Sequence, residues 1–535
     1  MIRTAPTEPG AIWAHAERAY NADANYDAVL DQIYELILPY RHFERSKGHS
    51  KMDKVFDSTA VRSAFRFAGR LQLDIMPPFQ EWFQLAPGPA AEAQLKPKEL
   101  KQLREKLERT QKQVFAALDI SSFHTTGNEM CQDLVAGQGA MLISEGDDDD
   151  PLLFEAVPSD QIAITDGPGG RVNGVHYKKK MTYREVVDTW PETDTAKFPK
   201  VIRDALAKTD DAERDAALQG EIDVLQASLW HKADKRWVLS VIAPDDKGYV
   251  LIHTERTRSA PWITPRFFKV PGESRGRGPA WLALPDVRVA NKTVELTLRA
   301  AALAILGLWT RTPDFSGMNA LNMGQIKPGS TIPVNRNAGG IAGPSLAPLD
   351  IPRNFDVSNL LLAEYREQIR ETLFDRAIPR SDGTPRSASE IIESVRLYSE
   401  DLASAYGRLV KETVLPIVQR VLEILHNKGL LTDEYEIDQL FIQVRVKSAL
   451  ASAQNLMQVR ILTQWLEILG ALLPSEIVLM SAKLEDVGWE IGRLLGVPEK
   501  LMRTETEKGE MQKLVAEIMA RQQLAQQAQA AEQAA

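Results

Sequence analysis

Cysteine is almost absent: Cys131 is the only one in 535 residues. That excludes an internal disulfide framework and any thiolate-rich metal site, and makes a reducing compartment the natural place of assembly. Long apolar runs are missing too. The longest small or apolar stretch, 300–309, falls far short of the about 20 residues that a bilayer-spanning helix needs. MIRTAPTEPGAIW lacks the basic-then-apolar order of a secretory signal, so a soluble chain without membrane contact is expected. Positive charge is not in excess either: 64 Lys+Arg against 73 Asp+Glu gives a net of −9. A protein that coats nucleic acid with a broad basic face is thereby excluded, and any contact with DNA must be local or weak.

Signatures of catalysis are lacking as well. No GxxxxGK[ST] occurs, so the lysine and hydroxyl that a nucleotide triphosphate and its metal require are not there. The eight histidines (15, 42, 49, 124, 176, 231, 253 and 426) contain no HExxH and no i, i+4 pair, and read as surface or packed residues rather than metal ligands. No GxSxG elbow appears. Cys131 has only His124 nearby in sequence and reads as a small buried residue. The acidic run GDDDDP, with Asp147 to Asp150, offers the hard oxygens that calcium or magnesium prefer. Four consecutive aspartates cannot all face one ion, so a solvated hairpin tip is the better reading. No catalytic residue, metal or cofactor is expected.

The stretch ESRGRGPAWLALPDV, residues 273–287, is the one place that resembles a phosphate cradle at a helix start. A dinucleotide fingerprint needs a third glycine and close helix approach. Here Gly276 and Gly278 are followed by Pro279, Ala280 and Trp281, so the reading as a turn ahead of a helix competes with the cradle.

A chain of this length exceeds what one core sustains, so several packed units are expected. Residues 11–45 carry Tyr26, Val29, Ile33, Leu36 and Ile37 at helical spacing, and 57–75 and 90–120 also read as helix. From 137 to 270 come short β-type runs (AMLIS, QIAIT, GVHYKKKM, RWVLSVI, YVLIHTE, RFFKV) with a helical insertion over 191–223. Pro285 to Leu306 reads as helix with Pro285 in its first turn. Residues 310–356 hold six glycines and six prolines and should form turns and short strands. Asp356 to Phe374 is helical, 375–386 a loop, and Ser387 with Glu390 has capping-box spacing ahead of a long helix. Its stripe is Ile391, Val395, Tyr398, Leu402, Ala405 and Leu409. Pro416 should kink that helix and Gly429 end it. Residues 436–446 alternate like a strand, and 449–471, 475–495 and 504–535 read as helix, with an Ala/Gln-rich tail. The fold class is α+β, predominantly helical.

Two stretches together resemble the portal proteins, the head-to-tail connectors of short-tailed bacteriophages: VFDSTAVRSAFRFAGRLQLDIMPPFQEWFQL (55–85) and GRGPAWLALPDVRVANKTVE (276–295). The resemblance spans essentially the whole chain. It implies a ring of about twelve copies at one capsid vertex, with a channel for double-stranded DNA. It also implies terminase, tail adaptor, capsid and scaffolding proteins as partners, and a virion component assembled in the host cytoplasm. In portal terms, 1–280 would be the wing, 281–309 the first stem helix, 310–356 the clip and 357–375 the second stem helix. Residues 376–387 would be the tunnel loop, 388–445 a long kinked helix and strand returning to the wing, and 446–535 a helical crown with its tail.

On that resemblance Arg376, Arg380 and Arg386 are the DNA-channel candidates; against Asp375 and Asp382 they leave 3 − 2 = +1 per subunit. Pairing of these arginines across subunits is the equal alternative. Glu364, Arg366, Glu367 and Arg370 are candidates for inter-subunit ion pairs, together with the 391–409 stripe. Gly276, Gly278, Pro279 and Pro285 become a flexible hinge between wing and stem, leaving Arg275 and Arg277 open as contacts to DNA or a neighbour. Two competing readings remain: another head–tail adaptor or tail ring component, and a metal-dependent enzyme acting on nucleic acid through the GRG and GDDDDP segments.

Overall fold

The computed structural model describes residues 6–41, 54–306 apart from 148, 192 and 247, then 309–311, 331–333, 346–348, 356–375, 388–431, 440–472 apart from 448, 484–495 and 497. Arg376, Arg380, Arg386 and the rest of the 376–387 loop lie outside these residues, as does Ser387. The chain divides into a unit of Met1–Val446 and a second of Lys447–Ala535.

The first unit opens with helices α1 (Pro9–Ala22), α2 (Ala24–Leu36) and α3 (Thr59–Ile75). In α3 the buried residues Ala60, Ala64, Phe67, Ala68, Leu71 and Ile75 recur at steps of three, four and one, an apolar stripe that faces the main core. Strand β1 (Phe83–Pro87) follows, then α4 (Pro89–Gln94), α5 (Pro97–Ile120) and α6 (Phe123–Leu134). Pro97 suits a first helical turn because its missing N–H would be unpaired there anyway.

The β-rich middle contains β2 (Met141–Glu145), β3 (Leu152–Ala156), β4 (Ile162–Asp166) and β5 (Val172–Thr182), helices α7 (Tyr183–Thr189), α8 (Lys200–Leu206) and α9 (Asp211–Ala217), and strands β6 (Glu221–His231), β7 (Arg236–Asp245) and β8 (Gly248–Thr257). Strands β4 to β8 form one antiparallel sheet in sequence order. Alternation along the strands gives it two apolar faces. Leu225, Ala227, Leu229 and Ile242 bury Ile12, Trp13 and Ala16 of α1. Val224, Val241, Ala243 and Ile252 bury Val186, Phe198 and Ile202 of the helical insertion. Short strands β9 (Trp262–Ile263), β10 (Phe268–Lys269) and β11 (Gly276–Arg277) close this part.

Helix α10 (Pro279–Leu306) leads to three short strands, β12 (Trp309–Arg311), β13 (Thr331–Pro333) and β14 (Leu346–Pro348), which form one small sheet in the order β13-β12-β14. The expected short strands therefore occur in the Gly/Pro-rich segment, and the expected turns lie outside the described residues. Helix α11 (Asp356–Thr372) returns alongside α10, and α12 (Ala388–Asn427) runs through Pro416. Gly429, at φ +71°, sits just past its end in the left-handed region that glycine adopts without strain. Of the α12 stripe, Ala405 and Leu409 are buried in the chain's own core, so at these two positions the stripe is not an inter-subunit surface; its earlier side chains lie outside the described ones.

Within the strand expected over 436–446, of which 440–446 are described, Ile442–Val446 forms β15 and pairs antiparallel with β1, Phe83 opposite Val446. That pairing joins residues more than 350 apart and had no local signal. One core, built from α2, α3, α5, α6, β1 to β3, α10, α11 and α12, organises the unit. The second unit holds α13 (Ala449–Leu472) and α14 (Leu484–Leu494), packed against each other.

Candidate functional site

The 273–287 segment is a closely packed joint. Gly276 and Arg277 pair as β11 with Lys269 and Phe268, and the neighbouring backbone threads against residues 135–137. Gly278 N–H donates to the Ala136 carbonyl (3.2 Å), Ala280 N–H to the Val135 carbonyl (3.1 Å) and Phe267 N–H to the Gly137 carbonyl (2.9 Å). Trp281 Nε1 also donates to the Ala136 carbonyl at 2.7 Å. A Cβ on Gly276 would lie 2.8 Å from the Arg266 Cβ and nearer still to the Gly137 oxygen. One on Gly278 would lie 2.6 Å from the Gly137 nitrogen and nearer to the Val135 oxygen. Close backbone approach requires glycine at both positions, a demand separate from the freedom expected of a hinge.

Two prolines set the helix start differently from expectation. Pro279 is the first residue of α10, and Pro285 lies inside it. Pro279 fits because a first-turn N–H has no intrahelical acceptor; Pro285 is exposed on the outer face.

Arg275 is 1 % exposed. Its Nε bonds Asp23 Oδ2 at 2.8 Å, its Nη1 reaches Asp27 Oδ1 at 3.0 Å and the Ser159 carbonyl at 3.1 Å, and its Nη2 donates to the Ile162 carbonyl. The guanidinium also lies 5.2 Å from the Tyr26 ring. A phosphate would have to displace two carboxylates and two carbonyls, so Arg275 is neither a nucleotide cradle nor a DNA contact. Arg277 is partly exposed but grips Glu273 with two hydrogen bonds, 3.0 and 2.5 Å, and lies 5.0 Å over Trp281. The cradle resolves into a structural joint.

Sequence reasoning missed three further clamps of this kind. Arg266, almost wholly buried, bonds both oxygens of Glu412 (2.7 and 3.0–3.2 Å) and Asp166 (2.9 Å), tying α12 to the end of β4. Arg420 donates to the Ile143 carbonyl (3.1 Å) and Glu255 (3.1 Å). Arg41 holds Asp133 at 2.6 Å. Burial pushes the Asp133 carboxyl above its ordinary range and Arg41 opposes that rise. No sequence pattern flags a buried arginine, because its partners are on average more than a hundred residues away.

The α10–α11 pair carries the interface candidates. Arg366 Nε bonds Asp57 Oδ2 at 2.8 Å, and Asn291 Oδ1 accepts from Phe56 and Asp57 N–H at 2.7 and 3.1 Å. Burial raises the Asp57 pKa, but hydrogen bonds from Thr59 and Arg366 outweigh it and hold it below its ordinary value. Arg366 thus clamps Asp57 within its own chain through Nε, while its side chain stays 40 % exposed. Glu364, Glu367 and Arg370 face solvent, with Arg370 and Glu367 bonded at 3.2 Å. Apolar side chains also face outward: Leu282, Val289 and Leu296 recur every seven residues on α10, and Leu360 and Leu361 on α11. At the end of α11, Asp375 accepts from Ser63 Oγ (2.8 Å) and Arg66 Nη1 (3.2 Å).

Asp147, Asp149 and Asp150 lie at the β2–β3 hairpin tip, where Lys428 Nζ donates to the Gly146 and Asp147 carbonyls. Among the described residues no cluster of His, Cys, Asp and Glu could hold a metal ion, and no helix is long and apolar enough to cross a membrane. His176 is buried, its ring nitrogen 3.0 Å from that of His15, and burial pushes its pKa down to about 3. Cys131 is fully buried and burial pushes its thiol up to about 12. The native protein should therefore resist iodoacetamide at pH 8 and react within minutes once unfolded; mass spectrometry of the alkylated chain checks this.

A family profile described as bacteriophage head to tail connecting protein matches residues 11–502. The chain belongs to that family, whose members are structural connectors. No curated protein matches it. Among solved structures it is similar to a chain of "Virion of native gene transfer agent (GTA) particle", at 14% identity and a TM-score of 0.33 over 84% of this chain and 92% of that one. It is similar also to a chain of "Neck of native GTA particle computed with C12 symmetry", at 13% identity and a TM-score of 0.33 over 85% and 95%.

Proposed function

We propose that this chain closes with copies of itself into a portal ring at one capsid vertex, forming the channel for genome packaging and ejection in a short-tailed phage-like virion. Terminase would dock on it first and a tail adaptor later, within a shell of capsid and scaffolding proteins. The observation that carries this reading is the outer face of α10 and α11. Leu282, Val289 and Leu296 form one ridge opposite the helix's buried side, and Leu360 stands among Glu364, Glu367 and Glu371 on α11. A chain that worked alone would leave these leucines in water, whereas a head-to-tail ring covers them. Net acidity suits the channel, because a broad basic lining would make many firm phosphate contacts at once and resist sliding.

Purified protein should appear in negative stain as rings with a central hole, and pull-down with terminase separates a portal from another adaptor ring. Leu296→Asp together with Val289→Asp should leave the circular dichroism spectrum intact and shift the sizing-column peak from ring to monomer. Monomeric wild-type protein at every concentration would defeat the proposal.

A further inference from the structure

The first turns of α3 and the last turn of α11 enclose a depression of about 100 Å³ whose walls include Ser58, Thr59, Arg62, Arg66 and Arg370. On the share of liquid volume that one water takes, ~30 Å³, it has room for one tetrahedral oxyanion. The cations are not scattered. Arg62, Arg66 and Arg70 recur at i, i+4 and i+8 on α3, so they share one face of that helix.

One side of the depression already holds an oxyanion, the Asp375 carboxylate on Ser63 and Arg66. Among the described residues, the other side is open. Arg62 is exposed and its guanidinium makes no hydrogen bond or ion pair with any described residue. Ser58, the residue before the helix, makes no side-chain capping bond, so a hydroxyl and the positive end of a 17-residue helix face the same place. Arg370 reaches it from α11 while bonded to Glu367 at 3.2 Å. A wider groove that shares Arg62 and Arg66 runs on from it, with Tyr40, Val61 and Phe65 as its apolar wall. Apolar groups beside a cation exclude water and strengthen its hold on an anion.

We infer that this depression binds a phosphate group, held by Arg62 and Arg370 beside the Arg66–Asp375 pair. The planar guanidinium of Arg62 can grip two phosphate oxygens at once, which a lysine cannot. Two sources supply that chemistry: the phosphodiester backbone of duplex DNA and free inorganic phosphate. The site stands on its own geometry; assigning it to DNA rests on the connector reading. Asp375 directly precedes Arg376, the first of the DNA-channel candidates in the sequence.

The test uses the full chain and three proteins: wild type, Arg62→Gln and Arg62→Lys. Calorimetric titration with inorganic phosphate against chloride at matched ionic strength reads the site. Arg62→Gln should bind phosphate about tenfold more weakly or worse, the scale of one lost charged hydrogen bond, and Arg62→Lys should fall between. Because Arg62 bonds no described residue, melting temperature should not move. Equal phosphate binding by all three proteins overturns the site.

Anisotropy with a labelled duplex across a salt series reads the source. Loss of one phosphate contact lowers the log–log salt slope by about 0.9, and that fall in Arg62→Gln is the expected result. An unchanged slope together with lost phosphate binding overturns the DNA assignment. Negative stain of the same samples keeps the two proposals apart: rings that ignore phosphate overturn the site alone, and phosphate binding by a chain that never forms rings overturns the portal-ring proposal alone.

Discussion

Gly278→Val should yield no soluble, folded protein, and Gly276→Val should come close to it. The new Cβ at 278 would meet main-chain atoms of Val135 and Gly137, and the one at 276 the Gly137 oxygen and the Arg266 Cβ. Real Cβ atoms essentially never stand under 3.0 Å from such neighbours, and main chain cannot swing aside as a side chain does. Overpacking an ordinary core costs about 1–3 kcal/mol, and more where the backbone itself must move. Here both sides of the contact are backbone held by ladder bonds, so a penalty of at least ~3 kcal/mol is expected against a total stability of ~5–15 kcal/mol. Displacing residues 135–137 would also break the bonds from Phe267, Gly278 and Ala280 that pin the start of α10 to the core. Soluble yield and the urea midpoint measure the effect.

Gly69→Ala provides the control of opposite sign. Gly69 lies within α3 and a Cβ there meets nothing within 4 Å, so alanine should raise stability by up to ~1 kcal/mol. A Gly276 or Gly278 variant that folds normally and loses nucleotide binding would restore the cradle reading.

Periodicity carried much of the local structure. The stripes in 57–75 and 388–427, the β-type runs from AMLIS to RFFKV and the helical insertion at 191–223 all correspond to observed elements, because each element must bury one face and that requirement is written at spacings of two or three to four residues. Gly429 at positive φ and the three short strands in the Gly/Pro-rich segment follow from local chemistry in the same way. What stayed hidden depends on distance along the chain. WFQL gave no sign that it is a strand, since its partner is Ile442–Val446. The start of α10 was misplaced because two prolines six positions apart are each acceptable first-turn residues, and only the contacts of Trp281 with residue 136 decide between them.

The site shows the same division. Two arginines among glycines look like a phosphate site in sequence, whatever they face. Arg275 turned out to be committed to Asp23 and Asp27, and Arg366 to Asp57, each through a carboxylate some 250 to 310 positions away. Arg62 was passed over because an arginine on a helical repeat reads as a solvated face; its place beside Arg370 depends on how α11 packs on α3.

Arg275→Met should then be among the most damaging single substitutions in the chain, and its damage should depend on pH. Methionine fills a similar volume without charge, so what is lost is the partner of Asp23, Asp27 and two buried carbonyls. Removing one member of a buried ion pair costs about 3–5 kcal/mol, most of it the price of leaving the other charge unpaired. Burial already pushes the Asp23 and Asp27 pKa values above ordinary, with Arg275 the main influence pulling them down. A carboxyl whose folded pKa lies above its unfolded value adds stability below the unfolded value, near 3.8, and that contribution is lost as pH rises through the folded value. Taking Arg275 away raises both folded values further, so the loss extends to higher pH and grows. The gap between variant and wild type should accordingly be widest at pH 7 and narrow steadily toward pH 4, as the two carboxyls take up protons and no longer need a cation. Arg277→Met, which breaks only a partly exposed pair with Glu273, should cost under ~1 kcal/mol at either pH. Urea midpoints for the three proteins at pH 7, 5.5 and 4 measure this. A pH-independent penalty at 275 would mean that Asp23 and Asp27 find water or another cation when the guanidinium leaves, and that the joint is held by backbone interlock rather than by charge.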